Sequence, residues 1–110
     1  MVKYKDATLD TTFAALADAT RRAMLTRLAS EGDLAVSDLA QPFHMSLPAA
    51  LKHVNVLSDA GLIRREKRGR TVHCRLIAQP MRDAVGWLVR YEKFWNTQLD
   101  ALQAFVENDS

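Results

Sequence analysis

The sequence predicts a mainly α-helical fold that carries one small β-hairpin. Apolar residues recur every three or four positions through most of the chain, which is the pattern of amphipathic helices. Residues 62–77 depart from this pattern, because two β-compatible runs there flank a glycine-containing turn. Before this hairpin, a short helix and a longer one are joined by a brief turn. The order predicts a helix-turn-helix with an added hairpin, or wing.

Length and composition favour one ordinary domain. The chain has 110 residues, and we expect residues 1–110 to form a single domain. Hydrophobic residues make up 48% and charged residues 25%, a usage that excludes a disordered chain. The single cysteine, Cys74, excludes an internal disulfide and, with a polar N-terminus, predicts a cytoplasmic protein. Apolar runs are far shorter than a membrane span, so we expect no membrane partner.

The first two helices are predicted within residues 9–31. Leu9 and Phe13 lie one turn apart on the apolar stripe of the first helix. Asp18 is a candidate N-cap for the second helix, which we expect from Thr20 to Ser30.

The helix-turn-helix is predicted over residues 36–60. Its short first helix covers residues 36–43. Ser46 is a candidate N-cap for the longer helix, and Pro48 fits the first turn, where a missing backbone N–H costs nothing. Gly61 then ends that helix.

The wing and a long C-terminal helix complete the prediction. The wing covers residues 62–77, and its tip is the tripeptide Arg68-Gly69-Arg70. Residues 80–107 predict one long helix with an apolar and aromatic stripe. That helix is longer than the core of a small domain requires, so we expect the stripe to pack against a second copy of the chain.

The excess of basic residues is concentrated in the wing. Residues 61–79 hold six Lys or Arg and one acidic residue, whereas the rest of the chain carries more acidic than basic residues. This segment is a candidate electrostatic footprint for nucleic acid, and a solvated pair of charged strands is an equal alternative. The helix-turn-helix favours DNA, because its longer helix fits the major groove and the wing tip can reach phosphates or the minor groove.

Three stretches carry a resemblance to a known family. They are Phe13-Ala14-Ala15-Leu16-Ala17-Asp18-Ala19-Thr20-Arg21-Arg22, then Met45-Ser46-Leu47-Pro48-Ala49 through Lys52-His53-Val54-Asn55-Val56-Leu57 with Ala60-Gly61-Leu62-Ile63, and the wing Arg64-Arg65-Glu66-Lys67-Arg68-Gly69-Arg70. The sequence here resembles ArsR-type winged-helix regulators, in detail over about residues 9–77. The resemblance implies a dimeric prokaryotic repressor that binds double-stranded DNA at an imperfect palindrome.

The resemblance also implies a homodimer formed through the first and last helices. The residues expected at the interface lie on the apolar stripes of those helices: Leu9, Phe13, Leu88, Tyr91, Trp95, Leu99 and Leu102. A ligand pocket lined by the aromatic residues is the alternative.

The sequence departs from the metal-sensing members of that family. These carry a Cys-x-Cys motif before the recognition helix, and the corresponding residues 34–39 contain no thiol. Other members bind metal on the terminal helices, but residues 80–110 contain neither His nor Cys. One Cys and three scattered His predict no metal site and no cofactor. Leu51 stands where members often carry a groove-facing Ser.

The DNA contacts are expected on the longer helix and the wing. The candidate residues are Ser46, Leu47, Pro48, Ala49, Lys52, His53, Asn55, Arg64, Arg68 and Arg70. Lys52 and the wing arginines suit phosphates, Asn55 suits a base or a phosphate, and Pro48 or Ala49 suits a thymine methyl group. Ordinary solvated surface is the alternative for the charged and polar residues. For His53, a hydrogen bond to a neighbouring group is the favoured role.

Three further residues have open interpretations. Arg21 and Arg22 could contact phosphate, with ion pairs to Asp18 or Asp38 as the alternative. Cys74 is predicted to be a small buried residue, since a redox switch would need an exposed thiol of low pKa.

Two other classes of function are weaker. A winged helix used as a protein-interaction module would not require a basic wing. The sequence has no phosphate loop, nucleophile elbow or metal-ligand cluster, so an enzyme is disfavoured and we predict no catalytic residues. The nature of any small-molecule or protein effector stays open.

Overall fold

The computed structural model describes residues 6–108, and within them the chain forms six α-helices and one three-stranded sheet. The elements are α1 (Asp6–Leu16), α2 (Ala19–Glu31), β1 (Leu34–Ala35), α3 (Val36–Ala40), α4 (Leu47–Asp59), β2 (Ile63–Arg68), β3 (Thr71–Leu76), α5 (Gln79–Val89) and α6 (Glu92–Asn108). A 3-10 turn, Gln41–Phe43, follows α3. The predicted mainly α fold with a winged helix-turn-helix is confirmed, with α3 and α4 as the two helices of the motif.

The two predicted N-caps are present. Asp18 accepts a hydrogen bond from the backbone N–H of Arg21 at 3.0 Å, at the start of α2. Ser46 accepts one from the backbone N–H of Ala49 at 3.2 Å, at the start of α4. Each cap satisfies a backbone donor that has no partner within the helix, so local sequence sets where both helices begin.

The core lies between α2, α3, α4 and the sheet. Its largest fully buried side chains include Met24, Leu28, Leu39, Leu57 and Leu62. Because Leu57 and the other buried residues of α4 face this core, the opposite face of α4 is left at the surface. That outer face carries most of the predicted DNA-binding residues of α4.

The sheet has one strand more than the predicted hairpin. Its strand order is β1-β3-β2, with both pairings antiparallel. Gly69 forms the hairpin turn with φ of 62°, a backbone conformation that glycine adopts without steric cost. The extra strand, β1, has only two residues, which is too short to show an alternating pattern in the sequence.

The C-terminal segment consists of two helices rather than the predicted single helix over residues 80–107. The long helix is present as α6, and α5 precedes it. They separate where the N–H of Tyr91 donates to the carbonyl of Leu88 at 3.0 Å, a tight i to i−3 bond in place of the α-helical bond. Neither Arg90 nor Tyr91 is a Pro or Gly, so the local sequence contains no break signal.

Candidate nucleic-acid interface

The N-terminal end of α4 is presented to solvent. Ser46, Leu47 and Pro48 are exposed and Ala49 is half-buried. Leu47 leaves 51% of its surface open although it is a large apolar residue. In a helix-turn-helix, this end of the second helix reaches the base edges. The structure therefore places four of the predicted contact residues together at this end of α4.

Farther along α4, Lys52 and Asn55 lie one turn apart on the exposed face. Asn55 accepts a hydrogen bond, through its Oδ1 atom, from the Nη1 atom of Arg65 on β2. The contact joins the recognition helix to the wing. Arg65 was not among the expected DNA contacts, because alternation along a strand does not by itself say which face meets the helix.

His53 has the role that was favoured for it, a hydrogen bond to a neighbouring group. Its Nδ1 atom lies 3.4 Å from Nη1 of Arg21 and 3.8 Å from Oδ2 of Asp18. Its ring is half-buried between α4 and the start of α2. The side chain therefore ties the recognition helix to the rest of the domain.

The basic residues of the wing fall on two faces of the sheet. Arg65 pairs across the ladder with Cys74, which is fully buried, so both lie on the inner face. Arg64 pairs with Arg75 on the outer face, where both side chains are exposed. Two like charges opposite each other are unfavourable unless an anion lies near them.

Arg68 is engaged within the protein rather than free for DNA. Its Nη2 atom lies 2.8 Å from Oδ2 of Asp33 and 3.2 Å from Oε2 of Glu66. Arg70, two residues farther on at the tip, is exposed and forms no hydrogen bond or ion pair with any residue in the range 6–108. Of the two predicted tip arginines, Arg70 is thus the one whose charge is uncompensated.

Asp33 connects the loop before β1 to both strands of the wing hairpin. Its Oδ1 atom lies 2.9 Å from Nδ1 of His73, and Oδ2 bonds Arg68. The hydrogen bond from His73 and that from Arg68 lower the pKa of Asp33 below its usual value. The residues come from the loop before β1, from β2 and from β3, so this cluster links three separate segments.

The guanidinium groups of Arg21 and Arg22 cap the end of α1, a role that the sequence did not indicate. Arg21 donates from Nε to the carbonyl of Ala15 at 2.7 Å, and Arg22 donates from Nη1 to that of Leu16 at 2.7 Å. These carbonyls belong to the last turn of α1, where intrahelical partners are lacking. Guanidinium groups at a helix C-terminus also interact favourably with its dipole.

Leu51 and Cys74 both serve packing. Leu51 is half-buried and packs against the core. Cys74 is fully buried, as predicted, and burial raises the pKa of its thiol. Cys74 therefore lacks both the exposure and the lowered pKa that a redox switch would need.

The residues expected at a dimer interface differ in their exposure within the single chain. Leu88, Tyr91, Trp95, Leu99 and Leu102 are all exposed. Phe13 is half-buried and packs edge-on against Trp87, with ring centroids 5.7 Å apart. Leu9 is only 7% exposed within the single chain, so we correct its assignment: it packs within the chain and offers almost no surface to a partner.

The described residues do not fit a metal site. Across residues 6–108, no group of three or more His, Cys, Asp or Glu side chains is arranged to hold a metal ion. The sole thiol, Cys74, is buried on β3. No helix among these residues is long and apolar enough to cross a membrane.

An exposed recognition helix beside a basic β-wing defines a winged helix-turn-helix protein that binds double-stranded DNA. Sequence comparison agrees. A family model described as a helix-turn-helix domain matches residues 16–66. The arsenical resistance operon repressor of Escherichia coli strain K12 is 33% identical over 97 residues, covering 87% of this chain and 80% of that protein. The transcriptional repressor SdpR of Bacillus subtilis strain 168 is 29% identical over 83 residues, covering 76% and 91%.

Structural comparison gives the same result. A crystal structure of an ArsR family transcriptional regulator matches with a TM-score of 0.78 and 43% identity, over 87% of this chain and 97% of that one. The chain belongs to the ArsR family of transcriptional regulators. It is a DNA-binding regulator and not an enzyme.

Proposed function

We propose that the protein is a homodimeric repressor that binds a palindromic DNA operator. The observation that carries the proposal is the shared surface of α4 and the wing, joined by the contact between Asn55 and Arg65. The start of α4 exposes polar and apolar residues, and the wing exposes Arg64 and Arg70. Specificity would come from α4, and much of the affinity from the wing.

Within this proposal the predicted residues take distinct roles. Ser46, Leu47, Pro48 and Ala49 enter the major groove, with Lys52 and Asn55 on the same exposed face. Arg70 contacts phosphate at the wing tip. Arg64 does the same from the outer face of β2, where a phosphate would relieve its repulsion with Arg75.

The homodimer is supported by the apolar surface of α5 and α6. The described side chains of α6 are all exposed, and Trp95, Leu99, Leu102 and Phe105 are each about 60–70% open. The chain measures 65 × 38 × 21 Å along its principal axes, so α6 extends away from the core. Monomeric proteins rarely leave so continuous an apolar stripe in water, and a two-fold partner would cover it. Repression is supported by the two relatives that are named as repressors.

Selection of bound duplexes from a random DNA pool tests the proposed function. We expect an enriched palindrome whose half-sites are about 34 Å, or one helical turn, apart, because two recognition helices of a dimer must enter successive major grooves. A transcription assay on a promoter containing that site should then show lower output when the protein is added. Enrichment of no sequence, with binding that disappears uniformly as salt rises, would contradict sequence-specific recognition.

Replacing Arg70 with Ala tests the role of the wing tip. We expect weaker binding to every duplex, and a salt dependence whose log–log slope is smaller by about 1 per protomer, because one phosphate contact is lost. Titrations with operator and random DNA at several salt concentrations measure both quantities. Arg82→Ala is the matched control, since Arg82 is also exposed but lies on α5. Equal behaviour of the two variants would remove Arg70 from the interface.

A further inference from the structure

The inner face of the wing brings one arginine to the recognition helix. In β2, Ile63 and Arg65 share the face that looks toward the core, as their ladder partners Leu76 and Cys74 show. Arg64 lies on the other face, opposite Arg75. Two arginines that are neighbours in sequence therefore have different surroundings. Of these two arginines, only Arg65 forms a side-chain hydrogen bond with α4 within residues 6–108.

The contact between Arg65 and Asn55 determines which end of the Asn55 amide faces away from the wing. A guanidinium group has five N–H donors and no acceptor, so it can meet only the amide oxygen, Oδ1. The Nδ2 group must then point elsewhere, and it has no hydrogen-bond partner within residues 6–108. The orientation of an Asn amide is usually ambiguous, but here the chemistry of its partner decides it.

We propose that Arg65 is a positioning residue that makes Asn55 a hydrogen-bond donor toward the DNA bases. This inference rests on the proposed function, because it requires sequence-specific binding through α4. An Asn with both ends free can rotate to accept or to donate. With Oδ1 held by Arg65, Asn55 offers Nδ2 alone, which selects a base edge that accepts.

Major-groove chemistry then predicts the bases that Asn55 prefers. Guanine presents the acceptors N7 and O6, adenine presents N7, and thymine presents O4, whereas cytosine presents only an amino donor there. We expect discrimination of about five- to tenfold against cytosine at one position of each half-site, as befits one or two hydrogen bonds. Arg65 would control this preference without touching the base.

Binding-site selection with four variants tests the inference. Asn55→Ala should lose the preference at that one position, and Arg65→Ala should lose it at the same position. The double variant should show no further loss of preference there, because the two residues act as one unit. Arg64→Ala is the matched control. It removes the same charge from the same strand but from the opposite face, so it should weaken binding to all duplexes and leave the preference intact.

Two further substitutions distinguish a change of base preference from a folding defect. Asn55→Asp can still accept from Arg65 but has no donor, so the preference at that position should shift toward cytosine, whose amino group donates to a carboxylate. Arg65→Lys keeps a positively charged donor, an ammonium group with three N–H bonds, and should restore most of the preference lost in Arg65→Ala. Circular dichroism would establish that each variant is folded before the selection.

The outcomes separate this inference from the proposed function. If the wild-type protein enriches no motif, the proposed function fails. If it enriches a motif but Arg65→Ala behaves like Arg64→Ala, with uniform weakening and an unchanged preference, the positioning role of Arg65 is wrong while the proposed function stands. A uniform effect of Asn55→Ala would likewise assign Asn55 to a phosphate and overturn the inference.

Discussion

Arginine side chains in this protein have different partners and roles, which the sequence alone does not distinguish. Arg21 and Arg22 cap a helix, and Arg27 donates to the carbonyl of Asp38 at 2.6 Å while pairing with Glu31. Only some of the basic residues are therefore available to DNA. A charge count along the chain overestimates the DNA-facing charge, because guanidinium groups serve equally well as partners for carbonyls and carboxylates.

Asp33 leads to a prediction about pH. Its pKa is lowered below the usual 3.8 by His73 first and Arg68 second. A carboxyl group whose pKa is lower in the folded state stabilises the fold above its unfolded pKa, and this contribution is lost as pH falls through the folded pKa. We therefore expect the free energy of unfolding to fall more steeply below pH about 4 in the wild type than in Asp33→Asn.

Urea unfolding at several pH values from 7 to 2.5, followed by circular dichroism, measures this difference. Asp59→Asn is a suitable control, because Asp59 is exposed and has no hydrogen bond or ion pair through its side chain in the described part of the chain. If Asp33→Asn and Asp59→Asn change the acid dependence equally, the cluster of Asp33, His73 and Arg68 does not stabilise the fold as inferred.

At the scale of the element, α4 depends on its cap. Ser46 accepts a hydrogen bond from the Ala49 N–H, and we propose that it also lies at the surface that contacts DNA. Ser46→Ala should lower the free energy of unfolding by about 1 kcal/mol, because one backbone donor loses its partner. Ser46→Asp should keep that stability, since Asp is an equally good cap, yet weaken DNA binding, since a carboxylate repels phosphate.

Chemical unfolding and DNA titration of both Ser46 variants separate these two roles. Loss of affinity in Ser46→Ala beyond what its lower stability explains would indicate a direct DNA contact by the hydroxyl. Unchanged affinity in Ser46→Asp would place this residue away from the phosphate backbone.

The hairpin of the wing is extended by a third strand, β1. The pairing of β1 with β3 places Leu34 opposite Cys74 and Ala35 opposite His73, which attaches the wing to the start of α3. The ion pair between Asp33, in the loop before β1, and Arg68 also joins the wing to this segment. On one side, β3 of the wing pairs with β1. On the other side, Arg65 of β2 bonds Asn55 of α4.

At the scale of the whole molecule, the exposed stripe on α5 and α6 leads to a prediction about assembly. A groove of about 440 Å³ at the junction of the two helices is lined by Trp87, Leu88, Tyr91, Phe94 and Trp95. Trp95→Ala should raise the dimer dissociation constant by about 30-fold, as loss of a central aromatic residue typically costs an interface about 2 kcal/mol.

Sedimentation equilibrium over a range of protein concentrations measures that constant. Lys93→Ala, on the polar side of α6, is the control and should leave it unchanged. A Trp95→Ala protein that stays fully dimeric at the lowest concentration would exclude this residue from the interface. A wild-type protein that sediments as a monomer throughout would contradict the proposed homodimer itself.

Features set by neighbouring residues could be predicted from the sequence, and those set by distant residues could not. The caps at Asp18 and Ser46 are local, since each carboxylate or hydroxyl bonds an N–H three residues on. The hydrogen bond between Asp33 and His73 joins residues 40 positions apart, and no pattern along the chain predicts it. Leu9 is a second example. The apolar stripe of α1 showed that Leu9 would be buried, but not that residues of the same chain would bury it.

The sequence by itself determined that this chain is a winged helix-turn-helix protein. Helical and strand periodicity, capping residues and glycine at turns are short-range signals, and they specify the recognition helix and the wing. Only the tertiary structure decided which charges remain for DNA. It engages Arg68 with acidic residues, joins Arg65 to Asn55 and leaves Arg70 uncompensated. These choices depend on which strand face meets which helix, and that geometry exists only once the core has packed.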